Sequence, residues 1–274
     1  VYAFLFLVAV FCLVVGVALR VIRYSRTPVP LVIPTTPAPT TTRGVVARMF
    51  REIWLFESLF KGSKWIWLFG WLFHFGLVVA LLRHLRYFTE PVWQWVEVIQ
   101  WVGLYGSGGM LFGLLGLWAR RFLVDRVRYI SAPSDHLMLA LLVAIAGSGF
   151  AIKYGVHTDI VALKAFTRGL LVFDWQPLPA EPLLLIHLTL VIFLMVIFPF
   201  SKLLHAPGIF FSPTLTMKVT PRDKRPSAPW SDETNRSTAR WLIRTLQSHR
   251  PKHSPPQQDP LETNTGAISI GPAQ

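Results

Sequence analysis

The sequence carries little charge for its length. Asp, Glu, Lys and Arg make up 15% of the 274 residues, whereas soluble domains average roughly 25%. Hydrophobic residues make up 53%, and the mean hydropathy is +0.47. This composition is typical of a membrane protein and argues against a soluble globular domain.

Cysteine is almost absent, which excludes several kinds of redox site. Cys12 is the single cysteine, and it lies inside the first apolar run. The chain therefore has no disulfide framework, no cysteine zinc site, no iron–sulfur cluster and no C-x-x-C-H motif for covalent haem attachment. Any redox centre in this chain must be held without cysteine.

Acidic residues are scarce as well. The chain has 14 Asp and Glu against 27 Lys and Arg, and its formal net charge is +13. A basic surplus can indicate nucleic-acid binding. The basic residues here lie between apolar runs and do not form one stripe, so we expect no nucleic-acid partner.

Five apolar runs are long enough to cross a bilayer, which takes about 20 mainly apolar residues. Because a lipid-facing backbone must satisfy its own hydrogen bonds, such runs predict helices. The fold class that we predict is an all-α membrane protein, a bundle of five transmembrane helices. The predicted spans are 1–19, 65–86, 96–118, 135–153 and 183–203.

The first span begins at Val1, already inside an apolar stretch, so we expect the true N-terminus to lie upstream. A signal peptide is the alternative interpretation of this run. Against it, the run lacks a basic n-region, and Arg20, Arg23 and Arg26 follow it as in a stop-transfer segment.

The basic residues predict the direction of the bundle. The connections 20–64 and 119–134 and the tail from Ser201 onward carry 22 Lys and Arg, and the other two connections carry five. By the positive-inside rule, the N-terminus lies outside and the C-terminus in the cytoplasm. We expect a multi-pass protein of a prokaryotic inner (cytoplasmic) membrane, with a cytoplasmic basic and proline-rich tail at 204–274.

Three stretches outside the spans have helical amphipathic spacing. Residues 45–60, which follow a proline–threonine linker within 20–64, predict an interfacial helix on the cytoplasmic side. Residues 159–173 predict a similar helix outside, and 238–247 a short cytoplasmic helix. Ordinary packing against the bundle is an open alternative for all three. The proline-rich end, 251–274, predicts disorder.

Four of the eight histidines lie on two predicted spans, where a polar side chain is costly. His74 and His84 lie on the second span, and His187 and His205 lie on or just past the fifth. Because the two spans run in opposite directions, we expect two layers: an outer pair, His84 and His187, and an inner pair, His74 and His205. We predict no site role for the remaining four, His136, His157, His249 and His253.

The spacing of the histidines supports these layers, with one mismatch. At about 1.5 Å per residue, the ten-residue interval spans about 15 Å and the eighteen-residue interval about 27 Å. Eighteen residues are five full turns, so His187 and His205 face the same way. Tilt, a kink at Pro199 and a loose end at His205 must absorb the difference of about 12 Å.

Paired histidines on facing helices are suited to haem. Two neutral imidazoles fill both axial positions of haem iron, so the haem only gains and loses an electron. Two layers therefore predict two haems b in the bundle core. Two alternatives remain open: a transporter or proton channel with histidine relays, and a membrane anchor whose histidines only pack between helices.

Short motifs around these histidines resemble a known family. LFHFG (72–76), RHLRYF (83–88), IHL (186–188) and FPFSKLLHAPG (198–208) are similar to the cytochrome b, or gamma, subunit of respiratory nitrate reductase. HLRYF with HAPGIFFSPT (205–214) resembles more closely the cytochrome b subunit of the dissimilatory sulfite-reductase-linked membrane complex, DsrM. The resemblance covers roughly residues 45–215.

The resemblance implies electron exchange between the menaquinone pool and a cytoplasmic iron–sulfur subunit that is like heterodisulfide reductase, in a complex of sulfur metabolism. The alternative is a gamma-type subunit of a nitrate reductase. Alone, the chain would catalyse little beyond electron transfer between quinol and haem. It departs from the nitrate reductase pattern at Arg83, where that family has glycine, and around Ile99 and Gln100, where that family has a lysine.

Charged residues near His84 suggest a quinone site, because a quinol that loses electrons must also lose protons. Arg83 and Arg86 are the expected cofactor-binding cations there, and Glu97 is the candidate proton acceptor. The alternative is that Glu90 and Glu97 are solvated charges paired with Arg83 and Arg86. On the inner side, a set of cations is expected to hold haem propionates or a partner, or else to set topology and bind anionic lipid: Arg48, Arg51, Arg120, Arg121 and Lys202.

Overall fold

The regular structure of the chain is helical. The computed structural model describes residues 1–28, 34, 36–155, 158–219 and 240–245. Residues 1–219 form one unit and 220–274 a second, in which 240–245 are helical, within the predicted stretch 238–247. The predictions for 251–274, His157, His249 and His253 fall outside the described residues.

Eleven α-helices have assigned bounds within the described part of the first unit. They are α1 (Tyr2–Arg26), α2 (Thr42–Leu55), α3 (Glu57–Gly62), α4 (Lys64–His84), α5 (Gln94–Leu123), α6 (Asp125–Ile130), α7 (Pro133–Tyr154), α8 (Ile160–Val172), α9 (Pro182–Ile197), α10 (His205–Gly208) and α11 (Pro213–Thr216). Four short 3₁₀ turns lie between them, at Leu85–Tyr87, Phe198–Phe200, Lys202–Leu204 and Ile209–Phe211.

Five of these helices, α1, α4, α5, α7 and α9, are long and apolar enough to cross a membrane. This confirms the predicted all-helical fold with five spans and identifies a multi-pass membrane protein. The apolar faces fit a lipid surrounding, because large hydrophobic side chains such as Phe4 (68% exposed) and Phe11 (67% exposed) point away from the protein.

The fifth span is shorter than predicted, and its α-helix ends at Ile197, well before residue 203. Pro199 lacks a backbone N–H, and its ring clashes with the carbonyl of the preceding turn, so the α-helix cannot continue through it. Two 3₁₀ turns follow, separated by Ser201, which is extended (φ −97°, ψ 168°). The chain therefore changes direction before it reaches His205.

The predicted single helix at 45–60 is two helices. Phe56 adopts the left-handed conformation (φ 49°, ψ 48°), which ends α2 and begins α3. Two interactions stabilise the junction between α2 and α3. The Glu52 carboxylate accepts a hydrogen bond from the backbone N–H of Ser58 at 3.1 Å, and Arg51 forms an ion pair with Glu57 at 2.6 Å. Periodicity missed this break because both halves keep apolar residues at helical spacing.

Glycine allows α4 and α5 to pack closely. A Cβ on Gly76 would lie 2.5 Å from the carbonyl oxygen of Gly106, and one on Gly113 would lie 2.6 Å from that of Phe69. The buried core lies along the same contact and includes Phe73, Met110, Leu114 and Leu142. At these positions the glycines serve helix packing, which small residues favour in membranes.

Helix α8 matches the prediction for 159–173 and packs against the end of α4. Asp159 caps it by accepting hydrogen bonds from the N–H groups of Val161 and Ala162. The Thr167 hydroxyl donates to the carbonyl oxygen of Tyr87, in the 3₁₀ turn that follows His84. This contact holds α8 beside the part of α4 that carries His84.

Candidate functional site

The inner pair of histidines lies together in the structure. His74 is on α4 and His205 begins α10, and their ring centroids are 5.9 Å apart with an interplanar angle of 83°. The turns between Ile197 and His205 make this approach possible, because they replace the straight continuation of α9 that caused the mismatch in helical rise. His74 is half-buried, while His205 is exposed.

The outer pair combines the last residue of α4 with a residue on α9. His84 and His187 lie within electrostatic range of each other. A Cβ on Gly149 of α7 would lie 3.1 Å from Cε1 of His187, so α7 closes against the His187 ring. The structure thus brings the inner pair into ring contact and sets the outer pair within electrostatic range.

All four imidazoles use Nδ1 for a hydrogen bond and leave Nε2 free of a partner among the described residues. A carbonyl oxygen can only accept, so in the neutral form of three of these rings the proton lies on Nδ1 and Nε2 carries the lone pair. The Nδ1 contacts are 2.7 Å from His74 to the Gly70 oxygen, 2.6 Å from His84 to the Ala80 oxygen, 3.2 Å from His205 to the Lys202 oxygen and 2.9 Å from His187 to Oγ of Ser148.

This arrangement fits a metal group that needs only two protein ligands. Ligating histidines typically give their other ring N–H to a carbonyl or side-chain oxygen. Within the described residues, no three His, Cys, Asp or Glu side chains group as a metal site, so a bare ion would lack ligands. Haem brings four ring nitrogens of its own and takes two axial imidazoles.

The separation of the inner rings also fits such a group. A metal–imidazole bond of about 2 Å, with the ring centroid a little over 1 Å behind the nitrogen, sets two opposed imidazoles about 6 Å apart. The centroids of His74 and His205 are 5.9 Å apart. The donor set and the spacing of the inner pair therefore fit two imidazole ligands on one haem.

Cations gather at the His84 end of the bundle. Arg86 donates to the Gln100 side chain at 2.8 Å, and the Arg83 side chain lies against Gly103, where a Cβ would be 2.9 Å from Cδ of Arg83. Lys153 of α7, which sequence reasoning did not include, lies within electrostatic range of both arginines. The expected cofactor-binding cations thus flank the α4–α5 contact next to His84.

Glu90 is exposed, as the alternative interpretation expected, but the pairing with Arg83 and Arg86 in that interpretation is wrong. Its carboxylate forms ion pairs with Lys164 and, at 3.8 Å, with Arg168, both on α8. The hydrogen bond and charge of Lys164, with a smaller effect of Arg168, hold the pKa of Glu90 below its usual value. The helical packing of α8 supplies these partners, and a linear pattern of charges around 83–97 could not reveal them.

Glu97 lies in the first turn of α5 and is exposed. It lines a surface cavity of about 530 Å³, whose other lining residues are Gln94, Trp95, Val98 and Trp101. In the described part of the chain, no hydrogen bond or ion pair joins Glu97 to His84, Arg83 or Arg86. The structure therefore sets Glu97 in an aromatic surface cavity without a direct contact to the cations.

Several of the inner cations already have protein partners. Lys202 donates to the buried Asp135 at 2.7 Å, and Arg121 lies 3.5 Å from the same carboxylate. Arg51 pairs with Glu57, whose pKa falls to about 2 through hydrogen bonds from Lys61 and Arg51. Arg48 is on α2, and Arg120 is in the last turn of α5.

The ion pair between Lys202 and Asp135 has a structural consequence for the inner histidine pair. It joins the start of α7, where Asp135 lies, to the segment that carries His205.

The fold and the site define a helical membrane protein of five candidate spans, with four histidines in two pairs. Residues 56–218 match the nitrate reductase gamma subunit family, and the chain belongs to this family. The match confirms the resemblance seen in the short histidine motifs.

Three relatives carry curated names. A protein of Archaeoglobus fulgidus is 35% identical over 268 residues, which cover 81% of each chain, and one of Archaeoglobus profundus is 33% identical over 265 residues, which cover 79% of this chain and 78% of the relative. Both are named Hdr-like menaquinol oxidoreductase cytochrome b-like subunit. The respiratory nitrate reductase 1 gamma chain of Escherichia coli is 27% identical over 152 residues, 49% of this chain and 68% of that one.

Proposed function

We propose that the chain is a di-haem b membrane cytochrome that exchanges electrons between the menaquinone pool and a cytoplasmic iron–sulfur partner. The observation that supports this proposal is the placement of four histidines as an inner and an outer pair, in which each Nδ1 has a hydrogen bond and each Nε2 has no partner among the described residues. The curated names of the two archaeal relatives support the menaquinol assignment.

The histidines hold and orient the redox groups. When bound by two imidazoles, haem b supplies one-electron exchange without an open coordination position for oxygen. His74 and His84 are each oriented by the carbonyl oxygen one turn earlier in α4. Both rings are therefore fixed by the helix that carries them, and His187 and His205 complete the two sites from α9 and α10.

The His84 end is the proposed quinone end. Menaquinol must release two protons with its two electrons, so a proton acceptor is required near the outer pair. We assign that role to Glu97, whose aromatic cavity could receive a flat, apolar ring system. Arg83 and Arg86 are the proposed cofactor-binding cations, beside His84.

The opposite end is the proposed partner end, and the proposal includes topology. The N-terminus lies outside, and the linker 20–64 and the tail 204–274 lie in the cytoplasm of a prokaryotic cell, supported by the distribution of Lys and Arg. The partner is an iron–sulfur subunit that is like heterodisulfide reductase, in a complex of sulfur metabolism. The name that the two archaeal relatives share and the HAPGIFFSPT motif (205–214) support this choice of partner.

Reduction by menaquinol tests the proposal. In membranes that contain the full chain, a water-soluble menaquinol analogue is expected to reduce the b-type haem, and dithionite is expected to reduce the same amount. Glu97→Gln should slow reduction by menaquinol by about 10²-fold, because positioned acid–base groups contribute at least that much. The dithionite spectrum should not change.

The control variant is Asp125→Asn, which alters an exposed carboxylate on α6 whose one ion-pair partner among the described residues is Arg128. Its rate should equal that of the wild type. Haem that dithionite reduces but menaquinol does not would contradict the quinone assignment. An unchanged rate in Glu97→Gln would remove Glu97 from the mechanism and leave the cytochrome assignment in place.

A further inference from the structure

His187 differs from the other three histidines in what holds its ring. His74, His84 and His205 each bond to a carbonyl oxygen three or four residues earlier in their own segment. Nδ1 of His187 instead contacts the side chain of Ser148 on α7, at 2.9 Å. The Ile145 carbonyl, on the same turn of α7, also lies within hydrogen-bonding range of the ring. The ring of His187 is therefore held by groups of a neighbouring helix, and Ser148 is the side chain among them.

The second contact of Ser148 fixes the direction of this hydrogen bond. The Ser148 oxygen lies 3.1 Å from the carbonyl oxygen of Ile145, which can only accept. A hydroxyl has a single proton, so the arrangement that satisfies both contacts has Ser148 donating to Ile145 and His187 donating from Nδ1 to Ser148. His187 is thereby held as the tautomer whose Nε2 carries the lone pair.

The residue after Ser148 makes the contact possible. A side chain at Gly149 would place its Cβ 3.1 Å from Cε1 and 3.7 Å from Nδ1 of His187. Glycine at this position lets α7 approach the imidazole closely enough for Ser148 to reach Nδ1. The Ser-Gly step thus both orients the ring and leaves room for it.

We propose that Ser148 is a positioning residue for His187 and that its hydrogen bond lowers the reduction potential of the outer haem. The inference rests on the proposed di-haem function. A hydrogen-bond acceptor on Nδ1–H makes the imidazole a more basic ligand. A more basic ligand stabilises the ferric state, which carries one more positive charge than the ferrous state, so the potential falls.

A redox titration of the purified full chain, followed by its b-haem spectrum, tests this role. In Ser148→Ala, one of the two titrating haems should move to a higher potential, and it should be the component that His187→Ala loses. Ser148→Thr keeps the hydroxyl and should restore the wild-type potential. The low-spin electron paramagnetic resonance signal of the same haem should shift in Ser148→Ala, because the hydrogen bond between Ser148 and the His187 ring is lost.

Ser107→Ala is the matched control. Ser107 is a half-buried serine on α5 that donates to the carbonyl oxygen of Leu104 at 3.1 Å, as Ser148 does to Ile145. Unlike Ser148, it has no hydrogen bond to a histidine within the described part of the chain. Both potentials should be unchanged in this variant. A shift in Ser107→Ala equal to that in Ser148→Ala would overturn the proposal, since the effect would then belong to any lost helix hydroxyl.

The outcomes separate this inference from the proposed function. An intact chain without haem would end the cytochrome proposal itself. Two haems with wild-type potentials and unchanged resonance in Ser148→Ala would overturn the role of Ser148 alone. If Ser148→Ala loses the outer haem, wild-type haem content and potential in Ser148→Thr support the role, and the same loss in Ser148→Thr contradicts it.

Discussion

At the scale of single residues, the site depends on which ring nitrogen of each histidine makes a hydrogen bond to the protein. The sequence predicted the four histidines and their pairing, because helical rise and span direction follow from numbering alone. It did not reveal Ser148 or Lys153. Ser148 is 39 residues from His187 along the chain, and Lys153 is on a different helix from its arginine neighbours, so no local pattern connects them.

Glu90 illustrates how charge alone misleads at this scale. Around residues 83–97, the sequence offers two arginines as the nearest opposite charges. The structure instead pairs Glu90 with Lys164 and Arg168, because α8 packs against the turn at the end of α4. The ion-pair partners of Glu90 lie on α8, a helix more than 70 residues later in the chain. A short window of sequence around Glu90 does not contain them.

The Glu90 pairing predicts a pH dependence in acid. Its pKa is lower in the folded protein than the ordinary 4.5, chiefly through Lys164. A lowered carboxylate pKa stabilises the folded state above the unfolded value, and this stabilisation is lost as the pH falls below about 4.5. Glu90→Gln should therefore lower the unfolding temperature slightly at pH 7, and by less as the pH falls below about 4.5.

Thermal unfolding of the detergent-purified protein measures this effect, with Lys164→Gln and the double variant as controls. If the ion pair with Lys164 is responsible, the double variant should be no less stable than Glu90→Gln at pH 7. A difference between wild type and Glu90→Gln that stays constant down to pH 3 would show that the charge of Glu90 has no part in it.

At the scale of helices, composition predicted the spans but not their ends or breaks. The fifth helix stops at Ile197 because of Pro199, and α2 stops at Phe56 because that residue is left-handed. Pro199 in the sequence predicted a kink, whereas nothing in the residue type of Phe56 indicates a positive φ. The break after Ile197 affects the site, since it lets His205 approach His74.

The α4–α5 contact gives a prediction at this scale. A Cβ on Gly113 would lie 2.6 Å from the Phe69 oxygen and 2.8 Å from the Phe73 nitrogen, and both are backbone atoms that cannot move aside. Gly113→Ala should therefore push the helices apart and destabilise the protein by about 1–3 kcal/mol. Since α4 carries His74 and His84, haem content should fall as well.

Gly109→Ala is the matched control, one turn away on the same helix. Its Cβ would meet only Cδ2 of Leu72, at an ordinary 3.8 Å. Alanine is favoured over glycine in a helix by up to about 1 kcal/mol, so this variant should be as stable as the wild type or slightly more so. Equal losses of unfolding temperature and haem in both variants would contradict the close contact at Gly113.

At the scale of the whole molecule, the five-span plan was the most predictable feature. It requires only runs of about 20 apolar residues, which length and hydropathy reveal directly. The match to the nitrate reductase gamma subunit family, over residues 56–218, contains four of the five spans and all four paired histidines. The two members of each histidine pair are more than 100 positions apart in the sequence, on α4 and on α9 or α10. Their approach depends on the packing of the whole bundle.

The central claim is that the two histidine pairs hold two haems. The direct test is the haem content of the purified, membrane-inserted chain by pyridine haemochrome, beside His84→Ala and His205→Ala. The account predicts two b haems per chain in the wild type and one in each variant, with the inner haem retained in His84→Ala and the outer haem retained in His205→Ala. No haem in the intact chain, or two haems in either variant, would contradict it.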